Sequence, residues 1–66
     1  MQIEVNGKPR EVEDGLSIHG LISDLDLDGQ LIVVELNRQI IRHTERADVV
    51  LHAGDRVEIV HFVGGG

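Results

Sequence analysis

The sequence predicts an α+β fold, in which one main helix packs on a mixed sheet of four to five strands. Three observations lead to this prediction. One segment repeats apolar residues with a helical period, and short strand-like segments lie before and after it. No second amphipathic helix is present to cover the other face of the sheet. The 66 residues include no cysteine and one aromatic residue, so a single small core of Val, Ile and Leu must stabilise the domain.

The first elements are predicted to form a β-hairpin. Residues 1–5 alternate between polar and apolar side chains, as a half-buried strand does. Asn6-Gly7 follows and predicts a type I′ turn, because both central positions of that turn need a positive φ. Residues 8–12 return as a second strand. Pro9 cannot donate a hydrogen bond to a neighbouring strand, so we expect this strand at an edge of the sheet.

A helix is predicted after a turn at residues 13–15. Ser17 is the expected N-cap, since its hydroxyl can accept a hydrogen bond from the first turn. Gly20 lies inside the helix, where we expect it to allow a close approach by the sheet. Residues 27–29 are predicted to end the element. The apolar stripe, at positions i, i+3, i+4 and i+7, consists of Ile18, Leu21, Ile22 and Leu25.

Three acidic residues crowd the C-terminal end of this helix: Asp24, Asp26 and Asp28. The helix dipole disfavours negative charge there. Two interpretations follow, a solvated acidic rim or a docking patch for basic residues on a partner.

The second half of the chain contains three further strand-like segments. Residues 31–36 are nearly continuously apolar, which is typical of a strand that is buried on both sides or central in a sheet. The other predicted elements are a turn at 37–38, a short strand at 39–41, an irregular polar segment at 42–48, a brief apolar segment at 49–51, a turn at 53–55 and a last strand at 56–62.

Alternation in the last strand separates two faces. Val57 and Ile59 are expected to face the helix, whereas Val60 and Phe62 are expected on the open face. An exposed apolar pair there predicts a protein-docking surface; the alternative is that a loop covers Phe62. We expect this strand to pair centrally beside the first. The resulting arrangement is a β-grasp, or ubiquitin-like, roll.

The charge restricts the kind of partner. Twelve acidic and six basic residues give a net charge of −6, which argues against nucleic acid and against acidic membrane surfaces. A basic protein partner is the better complement. No apolar run is long enough to span a membrane and no signal-peptide pattern is present at the start, so we expect a cytoplasmic location.

Three glycines, Gly64, Gly65 and Gly66, follow the last strand directly. Glycine loses more backbone freedom on ordering than other residues, so we expect a domain at 1–63 and a flexible tail at 64–66. A tail without side chains can thread into another protein's catalytic pocket and present its carboxylate as a reactant. Attack on the α-phosphate of ATP would activate that carboxylate as an acyl adenylate. The alternative is a flexible end without a role.

Other chemistry finds little support in the sequence. The four histidines, at 19, 43, 52 and 61, lack the spacing of a metal site. Ser17 and Ser23 lie outside any nucleophile-elbow sequence, and the glycine tail lacks the Lys and following helix of a phosphate-binding loop. We therefore expect a substrate or carrier protein and not an enzyme, with no cofactor of its own.

Three segments resemble one known family: Ile3-Glu-Val-Asn-Gly7, Val34-Glu-Leu-Asn-Arg-Gln-Ile40 and Gly54-Asp-Arg-Val-Glu-Ile-Val-His-Phe-Val-Gly-Gly-Gly66. They are similar to the sulfur carrier proteins of thiamine biosynthesis (ThiS), which are ubiquitin-like β-grasp proteins. The resemblance covers essentially the whole chain. It departs from the family's pattern at 41–44, where the family often has a proline and an aromatic residue.

The resemblance implies a role for the terminal glycines. Gly65 and Gly66 correspond to the family's diglycine. An E1-like adenylyltransferase would adenylate Gly66 with ATP, and sulfur from cysteine, relayed from a cysteine desulfurase, would convert the adenylate to a thiocarboxylate. Thiazole synthase would then accept the sulfur. Three alternatives stay open: the small subunit of molybdopterin synthase, a ubiquitin-like protein modifier, and an interaction module without tail chemistry.

Overall fold

The structure is a computed structural model and describes residues 1–62. The predicted glycine tail, Gly64–Gly66, and the predicted domain boundary before it lie outside the described residues.

Five strands and one helix make up the described chain. The sheet has the order β2-β1-β5-β3-β4, with β1 and β5 parallel and the other neighbours antiparallel. The mixed β-grasp sheet, the edge position of the second strand and the central position of the last strand are thus confirmed. The elements are β1 (Gln2–Val5), β2 (Lys8–Glu11), α1 (Ile18–Asp24), β3 (Ile32–Leu36), β4 (Gln39–Ile41), a 3₁₀ turn (His43–Glu45) and β5 (Arg56–His61).

Both hairpins close through two-residue turns with left-handed backbone. Asn6 and Gly7 have φ values of 51° and 82°, and Asn37 and Arg38 have 49° and 72°. Positive φ at both central positions is the property of type I′ turns, whose twist matches that of the flanking strands. Both predicted turns are therefore confirmed.

The helix begins as predicted and ends earlier. The Ser17 hydroxyl accepts a hydrogen bond from the Gly20 N–H at 3.0 Å, which confirms the N-cap. Asp26 has a φ of 58°, and the Leu27 N–H donates to the Ile22 carbonyl at 3.0 Å. This closure around a left-handed residue ends the helix at Asp24. The predicted end at 27–29 was wrong by about one turn.

Gly20 lies close to residues just before the helix and not to the sheet. A Cβ atom at this position would lie 2.6 Å from Cδ1 of Leu16, and its other nearest neighbour is the Ser17 hydroxyl. The expectation of a close approach by the sheet was therefore wrong, because the Leu16 side chain ahead of the helix occupies that space.

The core lies between α1 and one face of the sheet. The predicted stripe is confirmed for Ile18, Leu21 and Ile22, which are buried, whereas Leu25 is half-buried. On β3, burial alternates, so that strand is internal in the sheet but buried on one face only. The irregular segment before β5 adds Leu51. The buried residues are Ile3, Ile18, Leu21, Ile22, Ile32, Val34, Leu51, Val57 and Ile59.

Candidate functional site

The face of the sheet opposite α1, here called the open face, carries the predicted docking residues. Val57 and Ile59 of β5 are buried against the helix, as predicted. Val60 and Phe62 point the other way and expose 55% and 64% of their surface. The alternative in which a loop covers Phe62 is wrong for this structure.

Cross-strand neighbours extend the exposed pair into a larger patch. Val33 lies directly opposite Val60 in the β3–β5 register. The Phe62 N–H donates to the Leu31 carbonyl at 2.9 Å, which places Leu31 beside Phe62. Ile40 lies on the same face of β4, opposite Glu35. We call this set the open-face patch; its residues are Leu31, Val33, Ile40, Val60 and Phe62.

Three members of the patch, Leu31, Val33 and Ile40, were not predicted from the sequence. Leu31 and Ile40 expose 75% and 69% of their surface, more than Val60 or Phe62. Leu31 opens a continuous apolar run, which favoured a buried strand over an exposed position. Once β3 is taken as antiparallel to the last strand, alternation places Leu31 and Val33 on the face of Val60. The signal was present, but it needed the strand pairing.

Isolated exposed apolar residues are common, but five apolar side chains on one face of the sheet, four of them exposed and Val33 half-buried, are a different observation. Contiguous apolar patches of this kind mark interaction sites on soluble proteins. The open-face patch also surrounds the end of β5, the strand that leads to residues 63–66. A partner seated on the patch would lie next to the point from which the predicted tail continues.

Two asparagine side chains hold the strand that carries the patch. Oδ1 of Asn6 accepts a hydrogen bond from the Ile59 N–H at 2.7 Å, and Oδ1 of Asn37 accepts one from the Arg56 N–H at 3.0 Å. Each asparagine belongs to one of the two hairpin turns, so both hairpins fasten to β5 from opposite sides. The position of β5 is therefore fixed by side chains as well as by the sheet ladder.

The end of the open face that is remote from Phe62 is polar. Nε of Arg56 lies 3.4 Å from a carboxylate oxygen of Glu4, an exposed ion pair that contributes little to stability. Arg38 and Glu58 line a shallow groove together with Arg56 and Asn37. The open face is thus apolar near residue 62 and charged near the β3–β4 turn, where Ile40, beside Glu35, is the one patch residue in the charged part.

The remaining predicted features lie away from the open-face patch. Asp24, Asp26 and Asp28 are exposed, and their interpretation as a rim or a docking patch stays a prediction. Within residues 1–62, no three His, Cys, Asp or Glu side chains come close enough together to hold a metal ion. The helix in this part of the chain is too short and too polar to cross a membrane.

Comparison with known proteins agrees with the fold. The sequence profile of the ThiS family matches residues 3–66. The chain belongs to the ThiS family. The match includes the three glycines at 64–66, which the structure does not describe. The family resemblance found in the sequence is thereby confirmed.

Individual relatives show how the ThiS-family domain occurs. The sulfur carrier protein ThiS of Bacillus subtilis is 37% identical over 65 residues, covering 97% of this chain and 98% of that protein. The crystal structure of the thiamine biosynthesis protein ThiS from Geobacter metallireducens superposes with a TM-score of 0.86 at 33% identity, with both chains fully covered.

A second kind of relative is much longer. A protein named thiazole synthase from Magnetococcus marinus is 36% identical over all 66 residues, which make up 20% of its own length. The chain therefore spans about a fifth of that relative. In that polypeptide, a domain similar to this chain is part of a protein that carries the thiazole synthase name.

Proposed function

We propose that this protein is a sulfur carrier of thiamine biosynthesis and serves as a protein co-substrate. The observation that carries the proposal is the open-face patch at the end of β5, directly before the segment that leads to Gly64–Gly66. A carrier must bind its activating enzyme through a surface close to the group that reacts. The membership of the ThiS family supports the same function.

The chemistry resides in the terminal glycine. The Gly66 carboxylate attacks the α-phosphate of ATP in the active site of an E1-like adenylyltransferase, and pyrophosphate leaves. Sulfur that originates from cysteine arrives through a cysteine desulfurase relay as a protein persulfide, whose terminal sulfur displaces AMP at the acyl carbon. A thiol reductant then cleaves the resulting acyl disulfide, so that the thiocarboxylate is released and the thiol is oxidised to a disulfide. Gly64 and Gly65 would supply a backbone narrow enough to enter that active site, because neither carries a Cβ atom.

Thiazole synthase is the proposed acceptor of the sulfur. Support comes from the relative of that name, in which a domain similar to this chain is part of the same polypeptide. The carrier would dock by the open-face patch on both partners in turn. Each partner would contribute the catalytic groups, and the carrier would contribute the acyl group and the surface that positions it.

Intact-mass spectrometry tests the tail chemistry. The purified protein is incubated with ATP, cysteine, a thiol reductant, and the desulfurase and adenylyltransferase of the same organism. We expect the mass to increase by the exchange of one oxygen for sulfur, and a variant that lacks Gly66 to show no exchange while its melting temperature stays unchanged. A protein–protein conjugate through an isopeptide bond would instead favour a modifier, and no change in mass would contradict the proposal.

A pair of variants tests the docking surface. Phe62→Ala removes the most C-terminal member of the open-face patch, whereas His61→Ala changes its exposed neighbour on the opposite face. We expect Phe62→Ala to raise the KM of adenylation for the carrier and to leave its melting temperature nearly unchanged, because the ring is largely exposed. His61→Ala should leave both quantities unchanged. Equal KM values for both variants would count against the patch.

A further inference from the structure

The two hairpin turns have nearly the same backbone but differ at their second residue. The N-terminal turn has φ values of 51° and 82° at Asn6 and Gly7, and the β3–β4 turn has 49° and 72° at Asn37 and Arg38. In both turns the asparagine Oδ1 accepts a hydrogen bond from β5. The first residue therefore has the same structural role in each turn, and the second residue distinguishes them.

Arginine is a poor choice for this backbone. Glycine adopts positive φ without steric cost, whereas a residue with a Cβ atom is strained there. Around Gly7, no atom lies within 4 Å of where a Cβ would be, so the backbone angle and not crowding favours glycine at that position. Position 38 has the same positive φ and the same preference for glycine, yet it carries an arginine. Strained residues of this kind cluster at binding and catalytic sites.

The location of Arg38 indicates what kind of site this is. Its side chain is exposed and forms no ion pair or side-chain hydrogen bond within residues 1–62. Arg38 and Arg56 line the same groove at the charged end of the open face, together with Asn37 and one carboxylate, that of Glu58. Arg56 is paired with Glu4, so Arg38 is the guanidinium of this groove without an ion pair among residues 1–62. A guanidinium in this setting is suited to a carboxylate, which it can bind through two parallel hydrogen bonds.

We propose that Arg38 binds a carboxylate on the surface of thiazole synthase when the open-face patch docks; this partner is chosen because a relative of that name contains a domain similar to this chain. This inference rests on the proposed function. Arg56, next to the β3–β4 turn, lies six strand positions from Phe62, or about 20 Å along β5. Contact at both ends of the open face fixes the direction of β5 on the partner, and with it the direction in which the chain continues toward Gly66. The patch alone would fix the position but not the direction.

The experiment measures the affinity of the full chain for purified thiazole synthase by calorimetry at two salt concentrations. For Arg38→Gly, we expect the melting temperature to rise by about 4 °C, because the strain is removed from a small domain. The same variant should bind about tenfold more weakly, as expected for the loss of a charge-assisted hydrogen bond, and its affinity should depend less on salt. The matched control is Gly7→Ala, which should lower the melting temperature and leave the affinity unchanged.

Each outcome decides the inference. The inference is overturned if Arg38→Gly binds thiazole synthase with wild-type affinity. It is also overturned if this substitution weakens binding to the adenylyltransferase and leaves binding to thiazole synthase unchanged. If wild-type protein forms a thiocarboxylate and binds thiazole synthase while Arg38→Gly binds equally well, the role of Arg38 fails and the proposed function stands. If wild-type protein forms no thiocarboxylate and does not bind thiazole synthase, both fail together.

Discussion

Replacement of Asn6 tests how the N-terminal hairpin is joined to the central strand. Its Oδ1 accepts the Ile59 N–H at 2.7 Å, across 53 residues of sequence and at a partly buried position. The Asn6 backbone is left-handed, with a φ of 51°. Asn6→Ala removes the hydrogen-bond acceptor and also places a residue with a Cβ in a conformation that alanine disfavours.

The two effects have separate magnitudes. A partly buried N–H left without an acceptor costs about 1–3 kcal/mol, and alanine in the left-handed region costs roughly 1 kcal/mol more than asparagine. The free energy of unfolding should therefore fall by about 2–4 kcal/mol in Asn6→Ala, a large part of the roughly 3–10 kcal/mol expected for a domain of this size. In Asn6→Gly the new residue adopts the left-handed backbone without strain, so the loss of unfolding free energy reports the hydrogen bond alone. Asn6→Asp retains the acceptor and should lose less than about 1 kcal/mol.

Urea unfolding gives the free energies of the three variants, and hydrogen exchange of the Ile59 amide reports the bond directly. We expect stability in the order wild type, Asp, Gly, Ala, with faster exchange at Ile59 in the last two. If Asn6→Gly matched the wild type in both unfolding free energy and Ile59 exchange, the hydrogen bond would contribute nothing and the reasoning would be refuted.

Three further substitutions examine other parts of the fold by urea unfolding. Leu21→Ala should lower the unfolding free energy by about 2–5 kcal/mol, because the side chain is fully buried beneath the sheet; a smaller loss would mean that the core closes around the vacancy. Ser17→Ala should lose about 1 kcal/mol with its hydrogen bond to the Gly20 N–H, and a neutral result would show that the cap is dispensable. Gly54→Ala should lose roughly 1 kcal/mol through backbone strain alone, since its φ is 85° and no atom lies within 4 Å of the added methyl group; wild-type stability would contradict this account.

Much of the fold could be predicted because local chemistry and global structure agree. Asn6 and Gly7 both accept the positive φ that a type I′ turn needs, so this dipeptide alone predicts the turn. Pro9 lacks an N–H group, which excludes its strand from the interior of the sheet. The helical stripe from Ile18 to Ile22 matches the buried face, so periodicity alone identified it. The orientation of Val60 and Phe62 followed from simple alternation.

Other features depended on contacts that a linear sequence does not show. The helix ends at Asp24 because Asp26, two residues later, is in the left-handed region. Glycine is the more common residue in that conformation, so the sequence favoured an end at Asp28-Gly29. The side chain of Leu16 fills the space beside Gly20, and this contact is visible only in the folded structure. The exposure of Leu31 and Ile40 requires the strand register, and the strain at Arg38 is visible only from its backbone angle.

The central place of β5 has a consequence for synthesis on the ribosome. Before residues 56–61 have left the exit tunnel, β1 and β3 lack the strand that joins them, so the β1–β2 and β3–β4 hairpins are not part of one sheet. Isolated hairpins are marginally stable in water. A chain truncated before this strand therefore lacks the assembled sheet and two of the five patch residues, Val60 and Phe62. An enzyme that binds that surface would thus discriminate against prematurely terminated products without contacting the glycines.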